Sequence, residues 1–398
     1  MSDSKMITAG YISLDITPAF PESYRGRTLA ELVRPGKLRK VGSAAVYPGG
    51  CVSNTGLALH TLGADVSLVA KVGRDAFGQL IRDQYEALGA QADFIVSDEV
   101  ETSYTVVISA PGNDRCFLVD AGANDQFYPE ELDLEKAALA QYFHFGYPGL
   151  MRSFYEDGGQ RAADMFRGMQ EMGLITSMDP AQPDASSDAA GIDWENLLRL
   201  CLPYVDFFVP SIEELGYMLD RERYEYWQKK SIETGEDICM MLSLKDDVRP
   251  LAQKSLEMGC AAVLLKCGAA GLYLLSDSQE RMDALAQRYR DHAKACNPEQ
   301  ADAAEGIFTG KGWGNQDFFQ DSYKPYRILS GTGAGDTAIA GFLYGVSHGM
   351  DPQTCLQVAA GCGSLCITEY DTLSGLKPVP ELLGKIRDGW ELQHFIKD

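Results

Sequence analysis

From residue 141 onwards, short apolar runs alternate with amphipathic stretches, and this rhythm constrains the fold more than any other feature of the sequence. The strand candidates are YFHFG, LITSMD, VDFFVP, AAVLLKCG and GLYLLS, and helices are predicted at about 155–172, 193–200, 212–219, 247–258 and after residue 334. Strands that alternate with helices form a parallel sheet that is covered on both faces. The sequence therefore predicts an α/β fold with a central, mostly parallel sheet.

The N-terminal part has a different rhythm and predicts a second, smaller sheet. MITAGYI gives the first strand pattern, a polar stretch from 16 to 40 is predicted to be an excursion, and AAVYP, VSLVAKVG, YTVVIS and RCFLV add further strand patterns. We expect runs within about 15–48 and 98–120 to build a small β lid. All residues, 1–398, are expected to form a single domain.

Two segments interrupt the strand–helix rhythm and are predicted to be insertions, at about 220–245 and 276–327. The second is too long for an ordinary connection, so we expect either a structure of its own or a mobile flap. Its aromatic residues, such as Trp313, predict packing on the body or on a partner subunit. Because loop length adds little closure entropy, we also expect that a short linker in place of residues 281–322 would preserve the fold.

The charge balance limits the partners of the chain. With 35 basic and 57 acidic residues, its formal net charge is −22, so most of the surface repels polyanions and no nucleic acid partner is expected. The sequence shows neither a targeting pattern nor an apolar run of about 18 residues, so we expect a cytoplasmic protein without a membrane partner. Its ten cysteines form no CxxC pair and are expected to be reduced and buried.

The strongest local signal is the glycine-rich stretch SGTGAGDTA at 330–338, which leads directly into the helical pattern IAGFLYGV. Its glycines allow a tight turn with outward-pointing N–H groups, and the following helix N-terminus adds positive potential, which together make an anion cradle. An aspartate in this place would repel an anion. We therefore interpret Asp336 as a base that takes the proton of an attacking hydroxyl while the amides hold a transferring phosphoryl group. The structural alternative is a turn in which Asp336 caps the helix.

A second glycine motif lies far upstream, YPGGCVSNTGLALHTLG at 47–63, followed by KVGRDAFG at 71–78. It resembles the first signature of the ribokinase (PfkB-type) sugar kinase family, and GTGAGD resembles the second. The order of the motifs and the strand–helix alternation between them fit that family over most of the chain. The resemblance implies a ribokinase-like fold, ATP and Mg²⁺ as cofactors, a sugar or sugar-like acceptor, and a homodimer formed through the lid.

The resemblance also assigns roles to single residues on the acceptor side. Asp336 matches the general base, and the amides of Gly333, Ala334 and Gly335 match the anion hole of the family. Asp15 matches an aspartate that grips substrate hydroxyls, although a turn residue after a strand is its plain alternative. The other matches in the sugar site are Gly49, Gly50 and Asn54.

On the nucleotide side, Glu214 lies where the family has an Asn-x-x-Glu motif and would hold Mg²⁺ through water. An acid of the first helical turn is the alternative for Glu214. Lys266 ends a strand before a GxxG turn and would offset the acidic surface near the triphosphate, or it is merely a surface lysine. The remaining nucleotide-binding candidates are Ser211, Gly268, Gly271, Ala360 and Gly363, of which the last two either accept adenine or pack against a neighbouring helix.

Two departures and two rival functions stand beside this interpretation. Ser211 replaces the asparagine of the family, and Ser330-Gly331 replaces an Asp-Thr pair near a monovalent-cation site of some relatives. A nucleoside kinase of the same fold would require aromatic stacking partners in the lid. A non-catalytic sugar or nucleoside sensor is opposed by the presence of Asp336. The fold alone does not choose among sugars, sugar phosphates and nucleosides.

Overall fold

The computed structural model describes residues 5–112, 115–296 and 308–397. The strands in chain order are β1 (Met6–Gly10), β2 (Ser13–Pro18), β3 (Ala44–Gly49), β4 (Val66–Gly73), β5 (Gln91–Ser97), β6 (Tyr104–Ile108), β7 (Cys116–Asp120), β8 (Tyr142–Gly146), β9 (Ile175–Asp179), β10 (Phe207–Phe208), β11 (Ala262–Lys266), β12 (Gly271–Ser276), β13 (Asp317–Tyr323) and β14 (Leu392–Gln393).

The α-helices in chain order are α1 (Leu29–Leu32), α2 (Leu57–Leu62), α3 (Ala76–Ala87), α4 (Leu134–Ala137), α5 (Arg152–Tyr155), α6 (Gln160–Glu171), α7 (Trp194–Cys201), α8 (Ile212–Leu219), α9 (Arg221–Thr234), α10 (Arg249–Glu257), α11 (Gln279–Cys296), α12 (Ala334–Ser347), α13 (Pro352–Cys366) and α14 (Val379–Arg387). A π-helical segment, Val52–Gly56, precedes α2. Among the described residues, no helix combines the length and the apolar character needed to cross a bilayer.

The large sheet has the strand order β14-β13-β12-β11-β10-β9-β8-β1-β4-β5 within the described residues. Its strands run parallel from β5 to β11, and β12, β13 and β14 extend it in antiparallel fashion. Strands β8 and β11 are buried along their whole length, as their continuous apolar runs predict for strands covered on both faces. The predicted central, mostly parallel sheet is confirmed.

Helices and loops bury both faces of the large sheet. Successive side chains of a strand point to opposite faces, so Phe207 belongs to one buried cluster and Phe208 to the other. On the first face Phe207 packs edge-on against Trp313 and Phe342, with ring centroids 5.5 and 5.6 Å away. The two clusters pack the sheet between its helices on both faces, and this packing fixes the positions of the strand ends.

The small sheet is separate from the large one and has the order β3-β2-β6-β7. Strand β2 is antiparallel to β3 and parallel to β6, and β6 is antiparallel to β7. The small β-sheet expected from the N-terminal strand patterns is confirmed. Its outer strand β7 exposes about half of the surface of three apolar side chains, Phe117, Leu118 and Val119.

The segment 276–327 contributes buried side chains to the core in both of its described parts, 276–296 and 308–327; residues 297–307 lie outside the described residues. Helix α11 buries Met282, Leu285 and Tyr289 in the first cluster, and residues 317–321 of β13 pair with β12. Trp313 is also buried there. The structure corrects the expectation that residues 281–322 are dispensable, because their removal would take a strand and part of the core away. In the segment 220–245, α9 likewise buries Trp227.

Candidate active site

A cavity of about 390 Å³ lies where the carboxyl ends of the parallel strands meet the N-terminus of α12. This is the edge of an α/β sheet at which ligands usually bind. Tyr147 directly follows β8, while Asp179 and Lys266 end β9 and β11. The cavity is lined, among others, by Tyr147, Asp179, Ser211, Glu214, Lys266, Gly268, Gly335 and Asp336.

The carboxylate of Asp336 is almost fully buried, with 6% of the residue exposed. Its Oδ2 accepts a hydrogen bond from Asn54 Nδ2 at 3.1 Å, across 282 positions of the chain. Its Oδ1 accepts from the Tyr147 hydroxyl at 2.5 Å and, at 3.5 Å, from Thr55 Oγ1. The helix cap is Gly333, and Asp336 lies within the first turn, so the alternative in which Asp336 caps the helix is not realised.

The glycine-rich stretch makes the turn that precedes α12. Gly333 has φ 73°, and a Cβ atom there would lie 2.2 Å from Thr372 Cγ2, so only glycine fits. The hydrogen bond from Thr337 N to Gly333 O, at 2.9 Å, begins the helical ladder. The N–H groups of Ala334 and Gly335 precede that ladder, have no carbonyl partner within the helix and are placed to bind an anion.

Asp15 lies in β2, and its Oδ1 accepts a hydrogen bond from Ser13 Oγ at 2.7 Å. Burial raises the pKa of the Asp15 carboxyl; hydrogen bonds oppose this rise, and the nearby charge of Asp336 adds to it. A Cβ atom on Gly49 would lie 2.2 Å from Asp15 Oδ2. The chain therefore needs glycine at this position to bring its backbone against the carboxylate.

Gly50, the next residue after Gly49, also allows a close approach of the backbone. It has φ 81°, and a Cβ atom there would lie 2.7 Å from the carbonyl oxygen of Tyr11. The structure thus brings Asp15, Gly49 and Gly50 into one region with Asn54 and Asp336. These five residues come from two distant parts of the sequence.

Lys266 is buried, with 8% of its surface exposed, and its Nζ lies 2.8 Å from Asp179 Oδ1. The alternative of a surface lysine is therefore wrong. Burial alone would lower the pKa of Lys266, but the carboxyl groups around it, Asp179 and Glu214 first, raise the pKa above its ordinary value. Burial also raises the pKa of Asp179, which the ammonium opposes. We take Lys266 as the charged partner, because several carboxyl groups surround its ammonium.

Glu214 and Ser211 cap the N-terminus of α8 reciprocally. Glu214 Oε2 accepts from the backbone N of Ser211 at 2.6 Å, and Ser211 Oγ accepts from the backbone N of Glu214 at 3.2 Å. Glu214 is thus a first-turn acid of its helix, as the alternative held, and it also lines the cavity.

The residues at the cavity fit a hydrated Mg²⁺ better than a directly caged ion. Within the described ranges, no group of three or more His, Cys, Asp or Glu side chains could hold a metal. Mg²⁺ keeps several waters and is commonly held by one or two carboxylates together with substrate phosphates. Glu214 lines the cavity and could supply such a carboxylate.

The other nucleotide-side candidates divide into two groups. Gly268 has φ 56° and lines the cavity. Gly271, Ala360 and Gly363 do not appear among the residues that line it. A Cβ atom on Gly271 would lie 2.2 Å from Gln320 O in β13, and one on Gly363 would lie 3.1 Å from Ala334 O. These two glycines allow close packing of strands and helices.

Sequence reasoning missed Tyr147, Thr55 and Arg115. Tyr147 had a signal, because polar residues just beyond the carboxyl end of a parallel strand are site candidates. Arg115 follows the turn between β6 and β7, and its guanidinium donates to Thr332 Oγ1 in the glycine-rich stretch. No local pattern predicts this contact, because it depends on where the small sheet lies relative to α12.

Comparison with known proteins agrees with this geometry. Residues 24–289 and 302–378 match the pfkB family of carbohydrate kinases, and the unmatched positions between them begin within α11. A protein of Archaeoglobus fulgidus described as an uncharacterized sugar kinase is 22% identical over 322 residues, which are 80% of this chain and 98% of that protein.

Solved structures share the fold. The ribokinase of Arabidopsis thaliana in complex with ribose and ATP superposes with a TM-score of 0.65 at 18% identity, over 96% of this chain and 98% of that chain. A fructokinase of Xylella fastidiosa with bound ATP gives a TM-score of 0.66 at 16% identity, over 97% of this chain and 99% of that chain.

Proposed function

This chain belongs to the pfkB family of carbohydrate kinases, and from that premise we propose that it transfers the γ-phosphoryl group of ATP to a sugar hydroxyl with Asp336 as the general base. The observation that carries the proposal is the position of a buried carboxylate in the first turn of α12, directly beside amides that have no helical partner. A base and an anion hole are the two groups that phosphoryl transfer to a hydroxyl requires of the protein.

On the acceptor side, we propose that Asp15 accepts hydrogen bonds from two sugar hydroxyls and so orients the ring. Gly49 and Gly50 let the sugar lie against the backbone, and Asn54 binds a further hydroxyl while it holds Asp336. Asp336 takes the proton of the attacking sugar hydroxyl while the oxygen of that hydroxyl bonds to the γ-phosphorus. The bond from that phosphorus to the ADP oxygen then breaks, and ADP leaves.

On the donor side, we propose that the amides of Gly333, Ala334 and Gly335 bind the oxygens of the transferring group. Lys266 contributes a buried positive charge close to Gly335, since a Cβ atom there would lie 3.5 Å from Lys266 Cδ. Mg²⁺, held through water by Glu214, would neutralise phosphate charge when bound. The remaining residues proposed for the nucleotide are Ser211, Gly268, Gly271, Ala360 and Gly363.

We also infer a homodimer that pairs through the small sheet. The apolar side chains of β7 are half exposed at a sheet edge, where unpaired backbone groups favour association with another strand. Sedimentation equilibrium tests this inference. A monomer at micromolar concentration would contradict it.

The central test is Asp336→Asn. We expect turnover to fall by about 10²–10⁴, the usual contribution of a general base, while ATP binding measured by calorimetry stays near the wild-type value. Asp351→Asn is the matched control, because it makes the same change at the cap of α13, where asparagine also caps well. Turnover near the wild-type level in Asp336→Asn would remove the base from the proposal. A panel of sugars, sugar phosphates and nucleosides then identifies the acceptor.

A further inference from the structure

Tyr147 has a backbone conformation that is unfavourable for a bulky residue. Its φ is 69°, and in the described part of the chain only Ala181 and Asn315 are other non-glycine residues with positive φ. Its backbone N donates to Asp179 O at 2.8 Å, and its carbonyl accepts from Leu150 N at 2.9 Å. Such conformations persist where the surroundings hold them, and they concentrate at functional sites.

The strained backbone directs the phenol of Tyr147 at Asp336. The hydroxyl donates to Asp336 Oδ1 at 2.5 Å, a length typical of a strong hydrogen bond to a charged acceptor. Burial, with the nearby charge of Asp336, raises the pKa of the Tyr147 phenol well above its ordinary value, so the group stays protonated and donates. The Tyr147 ring packs at a tilt against Tyr11, with centroids 6.1 Å apart.

The two oxygens of Asp336 therefore have different partners. The phenol is the shorter donor to Oδ1, where Thr55 Oγ1 also lies at 3.5 Å, and the Asn54 amide donates to Oδ2, so the carboxylate is held from both sides. A bound acceptor that Asp15 has already oriented can reach a remaining lone pair. Loss of the phenol would free one lone pair and leave room beside Oδ1 for a water molecule.

We propose that Tyr147 is a positioning residue with two effects on Asp336. It orients the carboxylate to accept the proton of a bound acceptor hydroxyl, and it prevents the carboxylate from accepting a proton from water. This inference rests on the proposed role of Asp336 as the base. In the unwanted reaction, a water oxygen would bond to the γ-phosphorus, its proton would pass to Asp336, and ADP and inorganic phosphate would leave. The phenol removes the space in which that water would bind.

The test is Tyr147→Phe, which keeps the ring and removes one hydroxyl. The probes are ATP with whichever of D-ribose, D-fructose and D-glucose is turned over fastest, and ATP alone, with rates normalised to the folded fraction. We expect kcat for phosphorylation to fall roughly tenfold, as for the loss of one hydrogen bond to a charged group, with both KM values within about twofold. The ratio of acceptor-independent ATP hydrolysis to phosphorylation should rise at least tenfold.

Tyr217→Phe is the matched control, because Tyr217 is buried in α8 and its hydroxyl has no hydrogen-bond partner among the described residues. It should leave kcat and the hydrolysis ratio unchanged. An unchanged kcat and ratio in Tyr147→Phe would overturn the inference. So would a raised acceptor KM at unchanged kcat, which would make Tyr147 a substrate ligand. If Asp336→Asn is inactive and Tyr147→Phe behaves as wild type, only this inference fails, whereas an active Asp336→Asn overturns the proposed base itself.

Discussion

Asp15 keeps a carboxyl group in a place where its ionisation is costly. Burial raises its pKa, and the charge of Asp336 adds to the rise. Hydrogen bonds from Ser13 and Thr105 only partly offset it. A polar group that opposes folding in the free protein is typical of a binding site, because the ligand supplies the partners that the fold leaves out.

This placement predicts opposite effects of Asp15→Asn on stability and on binding. Because the pKa is raised in the folded state, Asp15 contributes stability below its ordinary value of 3.8 that is lost as the pH rises through the raised value. The ionised group therefore destabilises the fold at pH 7. We expect the Tm of Asp15→Asn to exceed that of wild type at pH 7 and to lose this advantage below about pH 4, while the sugar Kd rises at least tenfold.

Thermal denaturation at both pH values and sugar titration by calorimetry check this prediction. Asp351→Asn is a control of opposite sign, because hydrogen bonds from Thr354 lower the pKa of Asp351 despite its partial burial. Asp351 contributes stability above pH 3.8 that is lost on acidification, so its replacement should not raise the Tm at pH 7. A Tm below wild type for Asp15→Asn at pH 7 would contradict the argument.

At the scale of elements, the contact between the small sheet and the glycine-rich stretch predicts a coupling. Arg115 donates to Thr332 Oγ1, so the small sheet places a positive charge beside the anion cradle. We expect Arg115→Gln and Thr332→Val each to lower kcat/KM by about three- to tenfold, and the double variant to be no worse than Arg115→Gln, because interacting residues are not additive. Arg82→Gln, which removes a positive charge from a partly exposed position on α3, is the control. Additive losses in the double variant would show that the two residues act independently.

The core position of the segment 276–327 gives a second prediction at this scale. Trp313 is buried against Phe207, Phe308 and Phe342. We expect Trp313→Ala to lower the free energy of unfolding by about 3–5 kcal/mol, the usual loss for a large core aromatic. Ile232→Ala, at a position 82% exposed on α9, should change it by less than about 0.5 kcal/mol. Urea denaturation of both variants decides, and a loss below about 1 kcal/mol for Trp313→Ala would contradict a core role.

The elements that sequence predicts well are those with a local pattern. Helix α8 occupies the predicted residues, Ile212–Leu219, and α13 begins with a common helix-start pair, Asp351 as its cap and Pro352 in its first turn. Helix α11 was not predicted, although its buried side chains recur at helical spacing. Strand β13 has no such local pattern, because most residues of DFFQDSY are half-buried. Its position depends on pairing with β12 at the edge of the large sheet.

The site was predictable to the extent that glycines and acids cluster in sequence. The residues of the acceptor region were named from their motifs, and the structure brings them together across 282 positions. The roles of Tyr147 and Arg115 depend on the relative placement of whole elements. Long-range contacts of this kind leave no period in the sequence, which is why they had to be read from the structure.

Over the whole molecule, one segment of this acidic protein, the connection between β2 and β3, carries an excess of positive charge. The chain carries a net charge of −22, yet the connection between β2 and β3, residues 19–43, has six basic and two acidic residues. This connection approaches the turn between β6 and β7, since a Cβ atom on Gly112 would lie 3.8 Å from Arg25 Cγ. The other end of that turn carries Arg115, which reaches the glycine-rich stretch. We therefore expect the lid connection and Arg115 to raise the local potential on the approach to the proposed phosphate site.

This charge pattern predicts that the lid connection speeds the arrival of ATP. Neutralising three exposed residues together, Lys37→Gln, Arg39→Gln and Lys40→Gln, should lower the ATP association rate by about three- to tenfold at low salt, and the difference should vanish near 0.5 M salt, where the screening length is only about 4 Å. Stopped-flow binding measures the ATP association rate at both salt concentrations. The triple variant Lys229→Gln, Lys230→Gln and Lys245→Gln changes the net charge equally, at exposed positions outside the lid. Equal slowing by the two variants would mean that net charge, rather than its location on the lid, governs the approach of ATP.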